Sequence, residues 1–156
     1  MRNDKFIITN TLMSLLEQTA RIEKAIIVRY FNENKNFDIS FNEFIILTII
    51  QHLPGIHQRN LAKKALIGTA NLSRELDKLE TKKLITRNAD TKAKRVVKML
   101  YTTDIGNKKC NDIAVSMKNF INKTESIYTK EEQALFNEFL LRMKNKLTES
   151  IDMVIE

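Results

Sequence analysis

Apolar residues recur along most of this chain at helical steps of three and four. Near the start, Ile8, Leu12, Leu15, Thr19, Ile22, Ile26 and Tyr30 fall on one stripe, which predicts a single long helix over roughly residues 5–32. The heptad-like spacing is that of a helix packed against partner helices. Asn32 to Asp38 is polar and breaks the pattern. Ser40-Phe41-Asn42-Glu43 then reads as a capping box, in which Ser and Glu satisfy two free backbone donors of a helix start. The helix it opens carries Phe44, Ile45, Leu47, Thr48 and Leu53, apolar over much of its circumference, and is expected to be central. Pro54-Gly55 ends it.

From Gln58 the pattern tightens. Leu61, Ala62, Ala65 and Leu66 form a short apolar face, interrupted by Ile67-Gly68-Thr69, where a sharp turn at Gly68 is expected. Gly68 or Thr69 can cap the next helix. In that helix Leu72, Leu76 and Leu79 make the buried stripe, and Asn71, Ser73, Arg74 and Lys78 lie opposite. A polar face alone is an ordinary solvated one. Here small residues mark the turn, and Thr69, Asn71 and Ser73 gather at the helix's N-terminal end, the end from which a recognition helix reads bases. Leu84-Ile85-Thr86 begins a strand, Asn88-Ala89-Asp90-Thr91 is rich in turn residues, and Val96 to Tyr101 suits a returning strand. Lys92, Lys94, Arg95 and Lys98 stand at or beside the tip, opposed locally only by Asp90. A helix, a turn, a longer helix and a basic hairpin make a winged helix-turn-helix.

After the hairpin, Thr103 caps a helix from Asp104 whose inner face is expected to be Ile113, Met117, Phe120 and Ile127. Thr129-Lys130-Glu131-Glu132 is a second capping box. The last helix aligns Leu135, Phe136, Phe139, Leu140, Met143, Leu147, Ile151 and Val154, a stripe too long for a small domain to cover by itself. The expected fold is mainly α with a small two-stranded β wing. It is one domain over 1–156, with a DNA-binding lobe at 40–102 and dimerisation helices at 5–32 and 103–156.

Composition narrows the partner. Net charge is +7 and the isoelectric point about 9.5, which favours nucleic acid over a membrane surface. Only three Gly and one Pro disfavour a turn-rich β architecture. The charged start MRNDKFIITN has too short an apolar run for a signal core, and Phe44 to Ile50 is too short to span a bilayer. A soluble cytoplasmic protein is the expectation. His52, His57 and Cys110 are too scattered for a metal site, and neither a metal nor a cofactor is expected. No phosphate loop or nucleophile–base signature appears, so no enzyme is expected. Asp77 and Glu80 read as ordinary helix ion pairing beside Arg74 and Lys78. Cys110 stands beside Lys108 and Lys109, where positive charge can favour a thiolate; an unreactive small residue is the plainer reading.

These residues resemble the multiple-antibiotic-resistance regulator (MarR) family of bacterial transcription factors. The likeness rests on Gln58 with Leu61-Ala62, Arg74, Leu79-Glu80, Lys83-Leu84-Ile85-Arg87, Asp90, Arg95 and Thr103-x-x-Gly106. The chain departs from the family pattern in three places: Lys83 stands where Gly is usual, Thr102-Thr103 where Leu-Thr is usual, and the wing lacks the compact Asp-x-Arg-Arg run, with Lys92 and Lys94 standing near it. The resemblance implies a homodimeric repressor of double-stranded DNA with a near-palindromic operator, relieved by a small aromatic or phenolic ligand at a site not defined by sequence. Asn71 and Arg74 are the expected base readers, for adenine and guanine respectively. Thr69, Ala70 and Ser73 add polar or thymine-methyl contacts, and Gln58, Lys78, Arg87, Lys92, Lys94 and Arg95 contact phosphates or the minor groove. His52 and His57 lie near the junction where such a ligand binds in the family and could line a pocket there; ordinary loop and surface roles are the plainer reading of both. Oxidation sensing through Cys110, and a helical dimer acting by protein contacts with a vestigial DNA-binding lobe, are the alternatives.

Overall fold

The computed structural model describes residues 11–90 and 97–155. Its elements run α1 (Leu12–Glu33), α2 (Phe41–His52), β1 (Ile56–His57), α3 (Gln58–Ala65), α4 (Thr69–Thr81), β2 (Ile85–Asp90), β3 (Val97–Thr102), α5 (Asp104–Glu125) and α6 (Lys130–Ile155). The chain divides into two units, Met1–Ile113 and Ala114–Glu156.

In the first unit α2 is the hub. It opens on the expected capping box: the Glu43 backbone N–H donates to Ser40 Oγ at 3.1 Å, and the Ser40 N–H donates to the Glu43 carboxylate at 2.7 Å. Its Ile46, Leu47 and Ile50 have no exposed surface, and it packs against α3, α4 and β3. Burying such side chains stabilises by about 1.5–3 kcal/mol each. The segment before it is less polar in function than in pattern. Phe37 and Ile39 are buried, and Phe31 of α1 meets Phe37, Phe41 and Phe44 at ring distances of 4.9 to 5.4 Å. Phe31, off the stripe read from sequence, is thus the residue that anchors the C-terminal end of α1. The stripe residues Leu12, Leu15, Ile22 and Ile26 are exposed. Ile8 lies outside the described residues.

The wing is a hairpin of β2 and β3, to which the structure adds β1 as a third short strand, in the order β1-β3-β2 and antiparallel throughout. Ile56 pairs with Leu100, and Gly55 makes the turn into β1 at φ +81 with its N–H on the Leu100 carbonyl. Asn88, Ala89 and Asp90, expected in the turn, are strand residues opposite Met99, Lys98 and Val97. Cross-strand pairing outweighs their turn preference.

Thr103 joins the wing to α5. Its hydroxyl donates to the Lys83 carbonyl at 2.7 Å and accepts from the Gly106 N–H at 3.0 Å. A Cβ on Gly106 would come within 2.0 Å of the Leu84 carbonyl oxygen, so α5 approaches the start of β2 as closely as only glycine allows. Ile113 is buried on α5, and so is Met117. Ile127, expected on the same face, lies beyond the helix end and is exposed, because α5 stops at Glu125.

In the second unit α6 starts on the Thr129–Glu132 capping box, and Tyr128 stacks on Phe136 at 6.0 Å. Leu135, Phe136, Phe139 and Leu147 of α6 are exposed. The side chains of Ile151 and Val154 lie outside the described residues. No described helix is long and apolar enough to cross a membrane.

Candidate nucleic-acid interface

The interface is built on α4. Leu72, Leu76 and Leu79, at steps of four and three, are fully buried and fix which face α4 turns outward. The turn before it differs from expectation. The left-handed residue is Leu66, at φ 53, which closes α3, whereas Gly68 has an ordinary φ of −59. Leu66, read from sequence as part of the buried face, is 83% exposed as a result. Gly68 is the N-cap of α4 and supplies no side-chain hydrogen bond. The first-turn N–H groups of α4 therefore keep the positive end of the helix dipole uncovered by a capping side chain, a favourable setting for an anion.

Thr69, Ala70 and Asn71 are exposed at this end, and Arg74 is exposed one turn further. Ser73 is half-buried between the two. Gln58, the first residue of α3, is also half-buried. The acids of α4 are all engaged. Glu75 lies 3.0 Å from Lys78, and Asp77 and Glu80 both close on Arg87 of β2. Among the described residues Arg74 is thus the cation of α4 without an acidic partner. Lys78 is half-exposed and already shared with Glu75.

Arg87, expected on phosphate, has a side chain only 11% exposed, held by Asp77 and Glu80. Asp77 and Glu80 are themselves exposed, but their partner is Arg87 of the wing strand, where the sequence pattern points to Arg74 and Lys78. Lys92, Lys94 and Arg95 lie outside the described residues. Lys98 on β3 is exposed. Three cations not singled out from sequence, Arg59, Lys63 and Lys64, are exposed on α3 away from its buried Leu61 and Ala62. The signal was present in their placement around that apolar pair.

Two further features border the lobe. A cleft of about 380 Å³ is lined by Lys24 and Ile27 of α1, Phe41 and Ile45 of α2, and Leu66 and Ile67 of the turn. Neither His52 nor His57 lines it. His52 Nδ1 sits 2.8 Å from the Thr48 carbonyl instead. Cys110 is buried with its Sγ 3.3 Å from Thr48 Oγ1, and burial pushes its thiol up, only partly offset by Thr48. Its charged neighbours are turned elsewhere: Lys108 pairs with Asp112, and Lys109 donates to the Phe37 carbonyl. The thiolate-favouring alternative has no support in this setting, which is that of the plainer reading, a small buried residue. Among the described residues no group of three or more His, Cys, Asp or Glu is placed to hold a metal.

Behind the lobe, Lys82 at the end of α4 donates to the Asp38 carbonyl at 2.7 Å and reaches the buried Glu43 carboxylate at 3.1 Å. Burial raises the Glu43 carboxyl, but the Ser40 backbone N–H, Lys82 and the Ser40 hydroxyl outweigh it and hold it below the usual carboxylate range. The far end of α4 is thereby tied to the start of α2.

Known proteins share this fold. Residues 39–97 match the model of the MarR family. The uncharacterized HTH-type transcriptional regulator YdgJ of Bacillus subtilis is 28% identical over 109 residues, which cover 70% of this chain and 66% of that protein, just under two thirds of its length. Among solved structures, the transcriptional regulator SlyA superposes with a TM-score of 0.78 at 21% identity, covering 90% of this chain and 98% of that one. FabT of Streptococcus pneumoniae, solved in complex with DNA, gives 0.69 at 20% identity, covering 89% and 99%. PcaV of Streptomyces coelicolor, solved with its natural ligand, gives 0.70 at 16% identity, covering 89% and 98%. Residues 39–97 thus match the MarR family model, on a fold shared with the solved structures of SlyA, FabT and PcaV.

Proposed function

We propose that this protein is a dimeric, sequence-specific DNA-binding regulator of transcription, acting as a repressor that a small ligand releases. The observation that carries the reading is the outward edge of α4. An uncapped helix N-terminus, exposed Thr69, Ala70 and Asn71, and an Arg74 without an acidic partner among the described residues form one polar strip on a rigidly buried helix. Asn71 pairs with adenine and Arg74 with guanine, each bidentately in the major groove. Thr69, Ala70 and Ser73 contact base edges beside them. Gln58 and Lys78, with Lys92, Lys94 and Arg95 of the wing, meet phosphates and set register.

Two copies give a near-palindromic operator with half-sites about one helical turn apart. The exposed apolar rows of α1 and of α6 are what a second copy covers. The ligand reading rests on the cleft, whose apolar lining of Ile27, Phe41, Ile45, Leu66 and Ile67 suits a small aromatic or phenolic molecule. Such a ligand relieves repression only by binding the DNA-incompetent arrangement more tightly than the competent one. A regulator acting on chromosomal DNA would work in a bacterial cytoplasm. The buried thiol of Cys110 counts against release by oxidation.

Arg74→Ala is expected to cost about 1–3 kcal/mol at one base position and relax sequence preference there, whereas Lys94→Ala weakens binding to every duplex and lowers the salt slope by about one contact. Binding isotherms over a salt series, on matched and mismatched duplexes, measure both. An Arg74→Ala protein with unchanged preference removes Arg74 from the reading set. A wild-type protein that binds no duplex at any salt moves the reading to a dimer acting through protein contacts.

A further inference from the structure

Arg87 occupies the position on β2, opposite Leu100, where a phosphate contact is expected of the wing. Its surroundings are those of a clasp, in which the arginine is largely covered and the two carboxylates that hold it stand exposed. The guanidinium lies 2.5 Å from Asp77 Oδ1, its Nε lies 3.1 Å from Glu80 Oε2, and the side chain is 11% exposed. Asp77 and Glu80 are three residues apart, so both carboxylates stand on one face of α4 and converge on one planar cation from the wing. No other ion pair engages either acid among the described residues. To touch a phosphate, Arg87 would have to leave both carboxylates, and α4 would then present two unneutralised negative charges near the nucleic acid.

We infer that Arg87 is a positioning residue: it joins the reading helix α4 to the wing strand β2 and neutralises Asp77 and Glu80, and it does not itself contact DNA. This rests on the reading of the lobe as a DNA-binding module. The two pictures make opposite predictions for the acids. If Arg87 binds phosphate, removing Asp77 and Glu80 frees a cation and deletes two repulsive charges, so all binding tightens. If Arg87 positions α4, the same change loosens the helix and erodes discrimination.

The test uses the full chain with Arg87→Ala, Arg87→Lys and the double variant Asp77→Asn with Glu80→Gln. Each is titrated with a duplex enriched by the wild type and a scrambled duplex of equal length, over a salt series. Both Arg87→Ala and the acid-neutralised variant are expected to lose about tenfold of the preference for the enriched duplex, with the salt slope on the scrambled duplex unchanged for Arg87→Ala. Arg87→Lys should recover little, because one ammonium cannot span two carboxylates as a planar fork does. A salt slope lowered by about one contact in Arg87→Ala, with tighter binding and intact preference in the acid-neutralised variant, overturns the inference. The acid-neutralised variant keeps the question open to test if Arg87→Ala does not fold. Thermal unfolding without DNA adds an arm independent of the DNA-binding reading. The melting-temperature shift of the triple variant should be smaller than the sum of the two parents' shifts, and strict additivity overturns the clasp. Failure of the wild type to bind any duplex would strike the DNA-binding reading, while the melting arm still decides whether Arg87 couples helix and wing.

Discussion

α4 and α6 carry the same kind of apolar stripe and end in different surroundings. On α4, Leu72, Leu76 and Leu79 are fully buried, with α2 and β2 packed against the helix. On α6, Leu135, Phe136 and Phe139 remain 51%, 49% and 46% exposed. Periodicity identifies which face of a helix is apolar. What covers that face is a separate matter, settled by the rest of the chain or by another molecule. In α4 the covered stripe leaves a polar edge fixed in direction, which is what a reading helix needs. In α6 the open stripe is the surface that the proposed second copy buries.

The sharpest way to break this comparison is to truncate one leucine on each helix. Leu76→Ala should cost about 2–5 kcal/mol in urea unfolding, since it removes a fully buried side chain and leaves a cavity. Leu135→Ala should change the unfolding of the dissociated chain by no more than about 0.5 kcal/mol, and instead raise the concentration at which copies associate in sedimentation. Equal unfolding costs at the two sites would erase the distinction.

A second prediction concerns what holds α4 in place from behind. Glu43 has its folded pKa depressed, so its contribution is fully present above the ordinary carboxylate value of 4.5 and is lost as pH falls through the lower folded value. Glu43→Gln should therefore destabilise at neutral pH, by about 1–3 kcal/mol, and the gap to wild type should close as pH falls below that range. Thermal melts from pH 7 to pH 3 would show this, and a constant gap across the series would contradict it.

The smallest effect is expected at the junction of α4 and the wing. Lys83 takes φ 57, a left-handed conformation that only glycine adopts at little cost. This gives a physical reason for glycine at the matching position of the family. Lys83→Gly should raise stability by about 0.5–1 kcal/mol, read from the denaturation midpoint, and a loss would show that the Lys side chain contributes there.

The parts legible in the sequence are those governed by local rules. Both capping boxes, the leucine stripe of α4, the short α3 and the order of helix, turn, helix and hairpin all follow from spacings of three or four residues. The exposed placement of Arg74 was legible for the same reason, lying opposite Leu72 and Leu76. The misread features depend on residues distant in sequence. Arg87 meets carboxylates ten and seven positions earlier, across a change of element, which no periodicity announces. Phe37 sits in a polar stretch yet is drawn inward by Phe31. Asn88 to Asp90 look like a turn until β3 pairs with them, and β1 is too short to show any alternation. At the turn of the helix-turn-helix, glycine was the obvious candidate for a left-handed residue, but the αL closure of α3 fell two positions earlier, on Leu66.

The central claim is that the outer edge of α4 reads a DNA sequence as one of a pair. Selection from a random duplex pool, with the retained DNA sequenced, tests it most directly. The account predicts enrichment of a near-palindromic motif with half-sites about one helical turn apart. Salt-sensitive binding without enrichment of any sequence would contradict it.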